Sequence, residues 1–92
     1  MQSIIQKTQE CLVCRITNNL HKHHVFYGTS NRKQSEKYGL TVYLCARHHN
    51  MSNEGVHFNK SLDLKIKQLA QRKFEETHTR EEFRAIFGKS WI

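Results

Sequence analysis

The cysteines of this sequence fall at positions that suit a metal site. Two pairs share one spacing, Cys11-x-x-Cys14 and Cys45-x-x-His48, and a long stretch of chain separates them. Two residues three apart on a tight turn can direct both side chains at one ion, so two such turns complete a tetrahedron of three thiolates and one imidazole. Thiolate ligands select zinc over magnesium or calcium. We therefore predict a structural Zn²⁺ at these four residues.

Three other interpretations of this pattern stay open. His49 could replace His48 as the fourth ligand. Three reduced cysteines could instead be small buried hydrophobic residues. The CxxC pair could also be a redox site, although nothing around it indicates the βαβ context of a thioredoxin-like motif. Zinc is preferred because every cysteine of the chain belongs to one of the two spaced pairs.

Further histidines flank the same segments and predict a second metal site. Adjacent residues of a strand point to opposite faces, so His23 can hold a metal while His24 addresses a substrate. On a helix, His49 is rotated by about 100° from its neighbour and can face a different site. We predict a divalent ion at His23, His49 and His57. Imidazole ligands suit Zn²⁺, Ni²⁺ or Mn²⁺ more readily than Mg²⁺. Mg²⁺ stays an open alternative for this site.

The chemistry that would use this second site is metal-assisted hydrolysis of a phosphodiester. The ion would stabilise the charged transition state and the departing oxygen. An imidazole titrates near neutral pH, so His24 is the predicted general base that deprotonates the attacking water. We interpret His21 and His78 as ordinary surface histidines.

The charge of the chain favours a polyanionic partner. Fifteen Lys and Arg against eight Asp and Glu give a formal net charge of +7 and a pI near 9.6. Neutralising phosphates releases counterions, so such an excess suits DNA. The predicted phosphate contacts are Arg32, Lys33, Lys37 and Arg47, and the alternative for this basic stretch is a merely solvated helix face.

Length and composition indicate one α+β domain over residues 1–92, since two separate cores need more chain. An odd number of cysteines and an N-terminal apolar run too short for a signal peptide or membrane span indicate a reducing compartment, the cytoplasm, and no membrane association. Strands are expected at 23–27 and 40–44. Helices are expected at about 31–37, capped by Ser30 or Asn31 and ended by Gly39, near 46–49, at 60–76, and after Thr79.

The last two helices are predicted to be scaffold. Leu62, Ile66, Leu69, Ala70 and Phe74 share one face of the helix over 60–76. Thr79 with Glu82 predicts a capping box for the final helix. Its apolar stripe is Phe83, Ile86 and Phe87, and Gly88 ends it.

These motifs together resemble a known family. CLVC…HKHHVFYGTSNRKQSEKYGL…LCARHHN…GVHFN is similar to the HNH (His-Me finger) endonucleases, and in particular to small phage proteins of that kind with a zinc knuckle. The resemblance covers residues 11–59, and residues 60–92 resemble the helical tail of the same group. It implies a ββα-metal finger, in which a hairpin with a loop is followed by a helix and the catalytic metal lies between them.

Residue by residue, the resemblance implies that His23 binds the catalytic metal, that His24 is the general base, and that His49 is a further ligand. His57 is the nearest match to the last ligand, although its distance from His49 exceeds the single helical turn common in the family. Gly39 and Leu40 stand where the family has its middle Asn, so an orienting backbone carbonyl is the expected substitute at His24.

Three functions follow as hypotheses. The first is a metal-dependent DNA endonuclease acting in the host cytoplasm during phage replication, recombination or packaging. The second is a zinc-stabilised DNA-binding accessory protein with weak catalysis. The third is a phage factor that binds and blocks a host enzyme. Partners expected besides DNA are a second copy of the chain or replication and packaging proteins of phage or host.

Overall fold

A two-stranded antiparallel sheet joins the segments that carry the cysteines and histidines. The computed structural model describes residues 2–51 and 55–92. Strand β1 (Leu20–His24) pairs with strand β2 (Thr41–Cys45), with Leu20 opposite Cys45 and His24 opposite Thr41. The α-helices of the described residues are α1 (Thr29–Tyr38), α2 (Lys60–Phe74) and α3 (Arg80–Phe87). The predicted α+β class is confirmed.

The first strand starts and ends earlier than its predicted range of 23–27. It ends at His24 because the next backbone donors turn to α1: the Leu40 N–H donates to the Ser35 carbonyl and not back to Val25, and the Phe26 N–H donates to the Ser35 hydroxyl. Phe26 is 1% exposed and its ring packs against α3. Val25 and Phe26 therefore belong to the core and not to the strand, whereas Tyr27 is exposed.

Helix α1 connects the two strands. Its C-terminal end agrees with the prediction and its N-terminal end does not. Its N-cap is Gly28, at φ 97°, and no side chain caps it, so the predicted caps Ser30 and Asn31 are wrong. Gly39 ends the helix in the left-handed conformation, as predicted. A Cβ at Gly39 would lie 2.5 Å from the Gln2 carbonyl oxygen, so this close approach requires glycine.

The predicted strand at 40–44 is shifted by one residue and runs directly into a short helical turn. That turn, Arg47–Met51, is wound as a π-helix, a wider winding that is rare and frequently found at functional sites. We call it the π-turn. The predicted helix near residue 46 is thus present as a single turn, and it carries His48 and His49.

Helices α2 and α3 contribute apolar side chains to the same core as β2. Ile66, Ala70 and Phe74 of α2 are buried as predicted, but Leu69 is 36% exposed and Gln71 is fully buried. Gln71 binds the C-terminal segment, accepting from the Trp91 N–H and donating to the Ser90 hydroxyl. The capping box of Thr79 and Glu82 and the helix end at Gly88 are both confirmed.

Candidate metal centres

The first candidate centre joins the N-terminal segment to the end of the sheet. Cys11 and Cys14 lie on a tight turn in which the Arg15 N–H donates to the Cys11 carbonyl, and the Leu12 N–H donates to the Tyr43 carbonyl of β2. Cys45 is the last residue of β2, and His48 lies three residues later on the π-turn. Both predicted ligand pairs therefore face each other.

The spacing of the donor atoms in this centre fits one ion. The ligand atoms of Cys11, Cys14, Cys45 and His48 all lie within 4.8 Å of one another. The Cys14 and Cys45 sulfurs are 3.7 Å apart, and tetrahedral Zn–S bonds of about 2.3 Å place two sulfurs roughly 3.8 Å apart. His48 Nδ1 lies 3.2 Å from the Cys45 sulfur. His48, and not His49, completes this Cys3His group, which can hold a structural metal such as zinc.

The surroundings of Cys11 favour its thiolate form. Burial raises the pKa of the Cys11 thiol, but the backbone N–H groups of Cys14, Cys45 and Val13 outweigh it and lower that pKa to about 6. At neutral pH Cys11 is therefore largely in the thiolate form that binds metals.

The second candidate centre consists of His23, His49 and His57. Their ligand atoms also lie within 4.8 Å of one another, and the Nε2 atoms of His49 and His57 are 3.1 Å apart. Two nitrogens bound to one tetrahedral zinc at about 2.0–2.1 Å would be roughly 3.3 Å apart. The three predicted ligands are therefore close enough to share an ion.

Backbone hydrogen bonds to the π-turn bring His57 back to His49 despite their separation in sequence. The Val56 N–H donates to the His48 carbonyl, and the His57 N–H donates to the His49 carbonyl. The last carbonyls of any helix have no partner inside it, so these two can accept from later residues. The long gap that separates this sequence from the family pattern therefore does not keep His57 out of the cluster.

His23 is buried, and burial favours its neutral form. It is 3% exposed, and its Nε2 atom is buried without a hydrogen-bond partner in the described residues. Burial, together with the nearby His49 and His57 rings, lowers its pKa to about 3. A buried polar atom without a partner is costly, and a bound cation would satisfy it.

The same burial predicts a pH dependence of stability. Between the unfolded pKa of 6.5 and the folded pKa of about 3, the unfolded chain binds a proton at His23 that the folded chain does not. The free energy of unfolding should therefore fall as pH drops below about 6.5, by up to ~1.4 kcal/mol per pH unit. Urea unfolding at several pH values, with one equivalent of zinc present, should show a weaker pH dependence in His23→Gln. Equal slopes for both proteins would contradict the prediction.

His24 points to the other face of β1, as predicted, and a carboxylate holds it. Its Nε2–H donates to Glu36 Oε1 at 3.0 Å, and Lys22 Nζ donates to both oxygens of the same carboxylate at 2.8 and 3.0 Å. Hydrogen bonds from Lys22 and then His24 lower the pKa of Glu36 to about 2. The orienting partner of His24 that the structure shows is thus a carboxylate from α1, where a backbone carbonyl was expected.

Two of the four predicted phosphate ligands lie beside His24. An open depression of about 820 Å³ is lined by His24, Tyr27, Gly28, Arg32, Lys33 and Glu36. Lys37 instead lies over the Tyr38 ring, with Nζ 5.4 Å from its centroid. Arg47 is on the π-turn. Neither belongs to the lining, so the structure brings only Arg32 and Lys33 together with His24.

The sequence interpretation missed three residues around these centres, and one of them carried a readable signal. His21, predicted to be a surface residue, lies outside the predicted strand at 23–27 but inside β1, on the face of His23, and its Nδ1 lies 2.9 Å from His49 Nδ1. Tyr27 contacts the rings of His23 and His57, and its position in an aromatic-rich segment was visible. Glu36 gave no signal. His78 lies outside both clusters, stacked on Phe74.

Comparison with known proteins adds no relative: no family model, no curated protein and no solved structure matches this chain. Within residues 2–51 and 55–92, each helix is too short or too polar to cross a lipid bilayer.

Proposed function

We propose that this protein is a metal-dependent DNA endonuclease of the ββα-metal type, hydrolysing phosphodiester bonds. The observation that carries the proposal is the convergence of three imidazoles from β1, the π-turn and the following loop, His23, His49 and His57. The neighbour of one of them, His24, lies in a depression lined by cationic side chains. The chain order of β1, α1, β2 and π-turn supports the proposal.

The residues fit a divalent ion bound by imidazoles, such as Zn²⁺, Ni²⁺ or Mn²⁺. Such an ion would act as a Lewis acid on the scissile phosphate and its leaving oxygen. His24 would accept the proton of the attacking water. Since its Nε2–H is donated to Glu36, the lone pair of Nδ1 is the one free to act as the base. Glu36 stabilises the imidazolium that forms, and Lys22 holds Glu36 in place.

Arg32 and Lys33 are proposed to bind the phosphates that flank the scissile bond. Replacing both by alanine should weaken DNA binding and reduce the salt dependence, the slope of log K against log salt concentration, by about two. Arg72→Ala with Arg84→Ala removes the same charge from exposed positions of α2 and α3 and is the matched control. Fluorescence anisotropy at several salt concentrations measures both slopes. An equal loss in both double variants would indicate only a net-charge effect.

Cleavage of supercoiled plasmid in the presence of each divalent ion separately tests the proposal. We expect nicked or linear product with at least one ion. We also expect a loss in His57→Ala, because this exposed ligand can be removed without emptying the core, while His78→Ala keeps the activity. Absence of cleavage with every ion, in protein that binds a second metal, would overturn the endonuclease proposal.

A zinc-stabilised DNA-binding accessory protein with weak catalysis is the second candidate. The observation that favours it is Gly39 and Leu40 at the place of the family's Asn, together with the net charge of +7. Salt-dependent DNA binding without cleavage would support this candidate. Absence of DNA affinity at moderate salt would instead favour a protein-binding role.

A further inference from the structure

A fourth histidine lies against the proposed catalytic metal ligands. His21 is in β1 two residues before His23, so both side chains point to the same face of the strand. Its ring is half-buried and meets the His49 ring edge-on, with centroids 5.0 Å apart. The Nδ1 atoms of the two rings are 2.9 Å apart, which is hydrogen-bond distance.

The ring nitrogen of His49 that carries the proton determines which ring donates in this contact. A neutral imidazole carries one N–H and one lone pair. His49 Nε2 faces His57 Nε2 at 3.1 Å, and both lone pairs must be free if the two rings bind one ion. The proton of His49 is then on Nδ1, and this N–H points towards His21 Nδ1. Accepting it requires the lone pair of His21 Nδ1, which places the proton of His21 on Nε2.

We propose that His21 is a positioning residue, whose Nδ1 accepts the Nδ1–H of His49 and thereby fixes the tautomer and orientation that direct His49 Nε2 to the metal. This inference rests on the proposed function, because it assigns a role relative to the ion at His23, His49 and His57. His21 itself does not touch the ion.

The size of the effect follows from similar contacts in metalloproteins. Histidine ligands usually donate their second N–H to an acceptor, and losing that acceptor typically costs 10- to 100-fold in metal affinity. Such acceptors are most often carboxylates, carbonyls or water. An amide oxygen at position 21 should therefore replace the imidazole to a useful degree, whereas an apolar ring should not.

The test compares His21→Phe, His21→Gln and the matched control His78→Phe, each loaded with one equivalent of zinc in the Cys3His group. Competition titration with Zn²⁺ or Ni²⁺ gives the affinity for the second ion. We expect it to fall 10- to 100-fold in His21→Phe, to recover in His21→Gln and to stay unchanged in His78→Phe. Long-range ¹H–¹⁵N NMR of the wild type should show the proton of His49 on Nδ1 before any second ion is added.

Two results overturn the inference while the endonuclease proposal stands: affinity in His21→Phe within twofold of the wild type, or a proton on His49 Nε2 in the wild type before the second ion is added. If the wild type binds no second ion, the proposed catalytic centre fails and the role of His21 fails with it. Circular dichroism checks that each variant folds. If His21→Phe does not fold, His21→Ala takes its place in the titration, with the same expected loss and the same twofold limit.

Discussion

Cys45→Ser should unfold the domain or sharply lower its melting temperature. Cys45 is buried at the end of β2 and lies 3.7 Å from the Cys14 sulfur and 3.2 Å from His48 Nδ1. If the group holds zinc, one ion ties together the N-terminal turn, the sheet and the π-turn. Structural zinc binding supplies about 10–16 kcal/mol in small zinc-finger peptides, whereas whole domains are stable by about 5–15 kcal/mol. Losing a ligand should therefore remove most of the stability.

Thermal unfolding followed by circular dichroism, with and without a strong chelator, measures this effect. The chelator should lower the melting temperature of the wild type and leave Cys45→Ser little changed, because the variant has already lost the site. That comparison separates metal loss from the cost of burying a serine hydroxyl. A complete cooperative transition at the same temperature in zinc-free wild type would contradict a structural role for the ion.

His24→Ala should reduce DNA cleavage by roughly 10²- to 10⁴-fold, the usual contribution of a general base. The side chain is 15% exposed and borders the cationic depression. Its replacement removes no core residue and no proposed metal ligand. Folding, DNA affinity and binding of the second ion should all be retained, so the loss should appear in the rate of the chemical step.

Two further variants test whether the loss of cleavage is specific to His24 and its carboxylate partner. Glu36→Gln keeps a hydrogen-bond acceptor near His24 but removes the charge that stabilises the imidazolium, so it should cause a smaller loss of cleavage than His24→Ala. His78→Ala removes a histidine outside both clusters and should cleave normally. Cleavage by His24→Ala at the rate of the wild type would remove the general-base assignment while leaving the metal site intact.

The parts of the fold that depend on residues close together in sequence could be predicted from the sequence. The two ligand pairs at Cys11 and Cys45 are each set by a single turn, and the capping box at Thr79 lies within four residues. The choice of His48 over His49 could not be made, because it depends on the winding of the turn after β2.

What was missed depends on contacts between distant segments. Leu20 to Lys22 have no strong preference for a strand and form one by pairing with Tyr43 to Cys45, so the sequence alone does not place His21 in the sheet. Glu36 reaches His24 only because α1 folds back on β1, a contact that no local pattern encodes.

The π-turn has a consequence for how this protein can change. His48 and His49 are consecutive residues that face different clusters, so the two clusters share one piece of backbone. Inserting or deleting a single residue there would misalign both sets at once, whereas most substitutions disturb only one. A redesign of the chain for another ion can therefore change the ligands of one cluster at a time, but must keep the length of this turn.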